Sequence, residues 1–190
     1  MADLISETVP VARPPLSNGA EDEAETSGHN PDILAFIELL FFAYRDFVRD
    51  PDGILEEFGF GRAHHRVLHF IYRHPGIRVA RLLDVLNITK QSLARVLRQL
   101  IEDGYVLQRT GENDRRERRL FLTDAGVELA DRLMAPQIVR VGEALAASGP
   151  EGNKAVEKFL CAMIAEPERA AIRDLIEDGA QVGKPKSEAA

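Results

Sequence analysis

The order of apolar and polar positions along the chain predicts a series of helices. Apolar residues recur at helical spacing from Ile33 to Tyr44, and the preceding pair Asn30-Pro31 is typical of a helix N-cap followed by proline in the first turn. "RDPDG", residues 49–53, should end this first helix because proline cannot donate a helical hydrogen bond. Further helices are predicted over 61–73, 79–87 and 89–103, and from Thr123 to about Ala147.

The hydrophobic period changes from helix to strand after Gly104. "YVLQR" (105–109) and "RRLFLT" (118–123) are extended runs joined by a polar loop, which predicts a hairpin. In the long helix that follows, Pro136 should produce a kink and "ASGPEGN" (147–153) a break. Two more helices are predicted over 154–165 and 168–179.

Helix, tight turn, helix and hairpin in this order are typical of a winged helix-turn-helix. We therefore predict a mainly α-helical fold with a small β-hairpin wing, a DNA-binding lobe, and dimerisation helices at both ends. The first helix carries aromatic residues on several sides, more than a small core can cover, which favours a second subunit. The predicted organisation is a disordered arm (1–29), an N-terminal dimerisation helix and connector (30–60), the DNA-binding lobe (61–123), C-terminal dimerisation helices (124–178) and a flexible tail (179–190).

The distribution of charge supports a polyanion-binding middle segment. The chain as a whole carries −7, but residues 61–122 hold 13 Arg or Lys against six Asp or Glu and therefore carry +7, which leaves −14 for the rest. No apolar run approaches the roughly 20 residues of a membrane helix, and the single cysteine, Cys161, rules out an internal disulfide. We therefore expect a cytoplasmic protein that does not bind membranes.

The solvent face of the helix beginning at Thr89 carries side chains suited to DNA. With its leucines directed inward, a rotation of about 100° per residue places Gln91, Arg95 and Arg98 outward. Arg pairs bidentately with guanine and Gln with adenine, whereas Ser accepts or donates to either a base edge or a phosphate. The candidate DNA-binding residues are Thr89, Lys90, Gln91, Ser92, Arg95 and Arg98, together with Arg115 and Arg116 at the hairpin tip.

The segments "VARLLDVLNITKQSLARVLRQLIEDGYVLQR" and "DRRERRLFLTDAG" resemble the DNA-binding core of MarR-type regulators. The wing carries most of the resemblance, with Asp114 and Arg115-Arg116 followed by Leu122-Thr123 and Gly126. The resemblance implies a homodimeric transcription factor, usually a repressor, whose wings straddle a pseudo-palindromic operator in double-stranded DNA. It also implies that Asp114 organises the wing by a salt bridge to an arginine. In many members a small-molecule effector binds between the dimerisation helices and the DNA-binding lobe.

Three of the five histidines lie within "GRAHHRVLHF", residues 61–70. On a helical wheel His64 falls in the middle of the buried face, whereas His65 and His69 are one turn apart on its flank. Such a pair is the minimal two-ligand unit for zinc, but a stable site needs a third ligand, and His64 points about 100° away from the pair. We therefore predict no metal site and treat His64, His65 and His69 as candidate effector-pocket residues. A metal or haem site completed by His29 or by an acidic residue is the alternative.

No nucleophile, base and orienting group appear with recognisable spacing, nor does a phosphate-binding glycine loop, so we expect neither an enzyme nor a cofactor. The predicted function is a sequence-specific DNA-binding regulator that reads its operator with the helix at Thr89 and the wing at 114–116. Two alternatives remain. One is a winged-helix protein-interaction scaffold without specific DNA binding, and the other is a histidine-based regulator that responds to metal or haem.

Overall fold

The computed structural model describes residues 30–111 and 117–182. The predicted arm (1–29), the wing-tip residues Asp114, Arg115 and Arg116, His29 and the end of the predicted tail therefore lie outside the described residues. The helices are α1 (Pro31–Glu56), α2 (Arg62–Arg73), α3 (Val79–Leu86), α4 (Lys90–Glu102), α5 (Asp124–Met163) and α6 (Glu166–Val182). The strands are β1 (Ile77–Arg78), β2 (Val106–Thr110) and β3 (Arg118–Leu122).

Helix α1 begins where the sequence predicts but is longer than predicted. The Asn30 side chain accepts a hydrogen bond from the Asp32 amide at 2.9 Å, with Pro31 in the first turn. The helix continues past the buried Pro51, so the prediction that "RDPDG" ends it is wrong. Proline has no amide hydrogen, which leaves the carbonyl of Phe47 without its helical donor. The side-chain amide of Gln137 in α5 donates to that oxygen at 3.3 Å and replaces the missing donor.

Helices α2, α3 and α4 form the predicted helix-turn-helix unit. Asn87 ends α3 in the left-handed conformation (φ 47°), which turns the chain sharply toward α4. Arg66 of α2 donates to the Leu86 carbonyl at 2.8 Å, which satisfies a free acceptor at the end of α3. The turn is therefore tied to α2 by a side chain that the helical wheel places on the exposed face.

The predicted hairpin is confirmed as β2 and β3, and a third strand, β1, joins it. All three are antiparallel in the order β1-β3-β2, with Ile77 opposite Leu120 and Val106 opposite Leu122. Because β1 has only two residues, it shows no period in the sequence. Its pairing with β3 attaches the wing to the start of α3.

One hydrophobic core joins the DNA-binding lobe to the ends of α1 and α5. Leu55 of α1 and Leu133 of α5 are as fully buried as Leu68 of α2 and Leu100 of α4. Ile101, at the C-terminal end of α4, is 37% exposed although it is apolar. Both flanking helices are therefore packed against the lobe through the same core that holds α4.

Helix α5 runs antiparallel to α1 and is interrupted late. Gly149 departs from helical dihedrals (φ 69°, ψ 174°), which places the break where the sequence predicts it. Pro136 keeps helical dihedrals, so the helix is not interrupted there. Helix α6 follows as predicted and continues past the expected boundary at residue 179. At that boundary Gly179 is buried close to the ends of the Arg73 and His74 side chains.

Candidate nucleic-acid interface

Helix α4 presents a polar, cationic face to solvent. Leu93, Val96, Leu97 and Leu100 are buried, and the opposite side of the helix carries no buried residue. This alternation fixes the rotation of the helix, so the exposed side chains point away from the lobe together. The six candidate DNA-binding residues that the structure describes are all exposed: Thr89, Lys90, Gln91, Ser92, Arg95 and Arg98.

The first turn of α4 is fixed by Thr89. The Thr89 hydroxyl oxygen accepts a hydrogen bond from the Ser92 amide at 3.1 Å. The same hydroxyl donates to the hydroxyl oxygen of Ser92 at 2.8 Å. Thr89 thus acts as the N-cap. When Ser92 accepts from Thr89, its own hydroxyl hydrogen remains available for an outside acceptor such as a phosphate oxygen.

The base of the wing is organised by Glu117, a residue that sequence reasoning missed. Its carboxylate contacts Arg78 of β1 at 3.0 Å and Arg119 of β3 at 3.2 Å, and these two arginines face each other in the strand register. The pairing could not be foreseen because β1 was not predicted. Beside it, the Arg109 guanidinium lies 5.2 Å from the centre of the Phe121 ring. The wing base therefore presents three arginines in fixed positions.

His64 connects α2 to α4. The Gly61 amide donates to Nδ1 at 3.1 Å, and Nε2 lies 3.0 Å from Oε1 of Gln99. Because Nδ1 accepts, the neutral ring carries its hydrogen on Nε2 and donates to Gln99. The ring also stacks on Phe60 at 4.7 Å, and burial lowers the pKa of His64, which favours the neutral form.

His65 and His69 lie apart from His64 and line a cleft of about 420 Å³ between α1, α2 and α5, here called the histidine cleft. His69 also reaches a second, more apolar cleft of about 580 Å³ that includes Arg73 and His74. Burial, reinforced by the nearby positive charges, lowers the pKa of His69 to about 4. Burial also lowers the pKa of His65, against the opposing influence of Asp52. The structure thus brings two of the three predicted pocket residues together and places His64 elsewhere.

Two features are absent from the part of the chain that the structure describes. Within residues 30–111 and 117–182, no group of three or more His, Cys, Asp or Glu side chains is arranged to hold a metal ion. In the same part of the chain, no helix combines the length and apolar character that crossing a membrane requires.

The helix-turn-helix, the exposed cationic α4 and the attached wing define a winged helix-turn-helix protein. The MarR family model matches residues 58–117. The HTH-type transcriptional regulator PetP of Rhodobacter capsulatus is 51% identical over 128 residues, which cover 67% of this chain and 77% of that protein. The chain therefore belongs to the MarR family of winged-helix transcriptional regulators, whose members are not enzymes.

Solved structures share the fold. The Staphylococcus aureus MepR-DNA complex aligns with a TM-score of 0.56 at 18% identity, over 68% of this chain and 95% of that one. A mutant of Escherichia coli MarR in complex with operator DNA aligns with a TM-score of 0.55 at 20% identity, over 70% of this chain and 96% of that one. At these identities the likeness concerns the architecture, which confirms the predicted fold class.

Proposed function

We propose that this regulator is a homodimer that represses transcription by binding a pseudo-palindromic operator. Each subunit inserts α4 into a major groove, and the wing, including Asp114, Arg115 and Arg116, contacts the flanking backbone. Half-sites about one helical turn apart fit two symmetry-related recognition helices. The proposal rests chiefly on one observation, the outward face of α4 with its exposed Gln91 and Arg95.

The roles within α4 follow from how each side chain is held. Gln91 and Arg95 are exposed near the N-terminal end of α4, where groove-binding helices contact base edges. Lys90 is a flexible point charge at the first turn, suited to phosphate. Ser92 has a hydroxyl hydrogen to offer, and Thr89 shapes the turn that presents these groups. Arg98 lies one turn further along, where it extends the cationic face.

Dimerisation is supported by apolar surface at the ends of the chain. Phe41 of α1 is 70% exposed and Met163 of α5 is 56% exposed, fractions unusual for large apolar side chains unless a partner covers them. The surface is continuous with the lobe through α1 and α5, so the spacing of two recognition helices is set by this contact. Its other members include Ile33, Phe36, Leu39, Phe42, Tyr44, Val156 and Leu160.

Regulation by a small molecule is supported by the histidine cleft. It lies between the helices proposed to dimerise and the lobe that reads DNA, and its walls combine aromatic residues with His65, His69 and Gln137. A ligand bound in this cleft would change the angle between α1 and α2, and thereby the distance between the α4 helices of the two subunits. His64, which lies outside the cleft, would instead transmit the shift of α2 to Gln99 of α4.

The DNA assignment is tested by selecting binding duplexes from a random library with the purified protein and measuring affinity by fluorescence anisotropy. Arg95→Ala should weaken binding to the selected duplex about ten- to a hundredfold and relax base preference, because a bidentate arginine contributes on the order of 1–3 kcal/mol. Arg45→Ala is the control for loss of an exposed arginine outside α4, since Arg45 pairs with Asp46. Because Arg45 also lies over the ring of Phe42 on the proposed dimer surface, the control is compared once its dimeric state has been verified. It should bind like wild type.

The same duplex tests the repressor role when placed over a promoter, where added protein should reduce transcription in vitro. If no duplex is enriched while the protein still dimerises, the interaction-scaffold alternative replaces the proposal. If Arg95→Ala and Arg45→Ala have equal effects, α4 is not the reading helix.

A further inference from the structure

A basic cleft lies at the corner between α5 and α6, far from α4 along the chain. It encloses about 370 Å³ and is lined by four cationic side chains, Lys154, Lys158, Arg169 and Arg173, against one acid, Glu157. Lys154 also pairs with Glu151 beside the cleft, at 2.9 Å. A local excess of positive charge is notable here because residues outside 61–122 carry −14 in total. Neither DNA reading nor the histidine cleft uses this surface.

The corner is held in place by Arg169. Its Nε donates to the carbonyl of Ile164 and its Nη2 to the carbonyl of Ala162, both at 2.7 Å. These bonds join α6 to the C-terminal turn of α5, where free carbonyls need donors. Cys161, the only cysteine of the chain, is half-buried in the same cleft.

The start of α1 lies close to this corner. Because α1 and α5 are antiparallel, Arg140 contacts Asp50 while Phe36 packs against Phe159, with 6.2 Å between the ring centres. Pro31 is five residues before Phe36, about 8 Å further along the α1 axis. The N-terminal end of α1 therefore points toward the C-terminal end of α5, whose last turns line the basic cleft.

The sequence just before α1 has the opposite charge. Residues 21–25, "EDEAE", contain four acids, and Glu25 is five residues from Asn30. Five extended residues span at most about 18 Å, so Glu25 lies within that distance of Asn30. The acids of this segment cannot reach the C-terminal end of α1, which packs on the lobe, because α1 is about 39 Å long and the nine residues from Glu21 to Asn30 span at most about 32 Å.

We propose that the acidic segment 21–25 docks in the basic cleft of its own subunit. The contact fixes the first turn of α1 against the α5–α6 corner and covers Cys161. Its strength comes from several partly exposed ion pairs, so it weakens as salt screens the charges. The inference is independent of DNA recognition, since none of these residues belongs to the proposed DNA-binding set.

The reaction of Cys161 with 4,4′-dithiodipyridine, an uncharged reagent that reads one thiol per chain, tests the docking. The full-length Glu23→Gln/Glu25→Gln variant should react about three- to tenfold faster than wild type at low salt, because both the cover and the nearby negative charge are reduced. Asp3→Asn/Glu7→Gln removes the same charge from the same N-terminal region and should react like wild type. At about 1 M salt the three proteins should converge.

Reversing the charges on both sides of the proposed contact supplies a second test, again read as the reaction rate of Cys161. Lys158→Glu/Arg173→Glu should accelerate the reaction as the arm variant does, and adding Glu23→Lys/Glu25→Lys to it should restore the slow rate. The proposal is overturned if the Glu23/Glu25 variant reacts like wild type, if the Asp3/Glu7 control is accelerated equally, or if the charge exchange leaves the thiol fast. Because the arm variants change no residue of the described helices, a folding defect does not obscure the result.

Discussion

The buried imidazole of His69 makes the stability of this protein depend on pH. The ring lies at the junction of the two clefts beside α2, where burial is the main cause of a pKa of about 4 and the positive charges of His65, Arg73 and His74 add to it. In the unfolded chain the ring regains a pKa of about 6.5. The substitution His69→Gln isolates the contribution of this ring to the pH dependence of stability, because glutamine is a polar side chain of similar length that cannot titrate.

The sign and size of the effect follow from proton linkage. Above pH 7 the ring is neutral in both states and contributes no pH dependence. As pH falls below 6.5 the unfolded chain takes up a proton that the folded chain rejects, so stability is lost progressively until pH approaches 4. Between pH 7.5 and 5.5 the loss attributable to His69 is about 1 kcal/mol, roughly a five- to tenfold change in the folding equilibrium.

Urea unfolding at pH 7.5 and 5.5, at one fixed protein concentration, measures this loss. His69→Gln should lose about 1 kcal/mol less than wild type between the two pH values. His74→Gln is the matched control, since His74 is less deeply buried and should reduce the loss by less. If wild type and His69→Gln lose the same stability, the ring is hydrated in solution and the cleft is more open than its geometry indicates.

Three substitutions test other parts of the structure. Gly126→Ala should destabilise the fold by about 3 kcal/mol in denaturant titrations, because the new Cβ would lie 2.1 Å from the Tyr105 carbonyl oxygen; near-wild-type stability would contradict that packing. Thr89→Ala should cost about 1 kcal/mol and Thr89→Ser much less, and equal losses would show that the cap bond is unimportant. His64→Ala should weaken binding to the selected duplex severalfold with dimerisation unchanged, since Gln99 loses its partner; unchanged affinity would remove His64 from the coupling path.

The helix-turn-helix could be predicted because its signals are local. The stripe of Leu93, Leu97 and Leu100, the cap at Thr89 and the left-handed Gly104 are each read from a few neighbouring residues of a single helix. What the sequence concealed depends on contacts between distant segments. Proline at 51 predicts a helix end, whereas in the structure the helix continues and a side chain of α5 donates to the carbonyl that proline leaves without a helical donor.

In the candidate site, too, the features set by local sequence were predicted and those set by contacts between distant segments were missed. Exposure of the α4 side chains follows from helical periodicity, so Gln91, Arg95 and Arg98 are exposed where the wheel puts them. Glu117 was missed because its role depends on the register between β1 and β3. The wheel separates His64 from His65 and His69, but it could not reveal that the aromatic Phe60 and the amide of Gln99 hold His64 away from the cleft.

A hydroxyl-radical footprint on the selected duplex tests the central claim most directly. Two subunits that each place α4 in a major groove predict two protected half-sites with centres about 10 base pairs apart, and Arg95→Ala should abolish both at concentrations where wild type protects them. A single protected patch, or a footprint that Arg95→Ala leaves intact, would contradict a homodimer that reads DNA through α4.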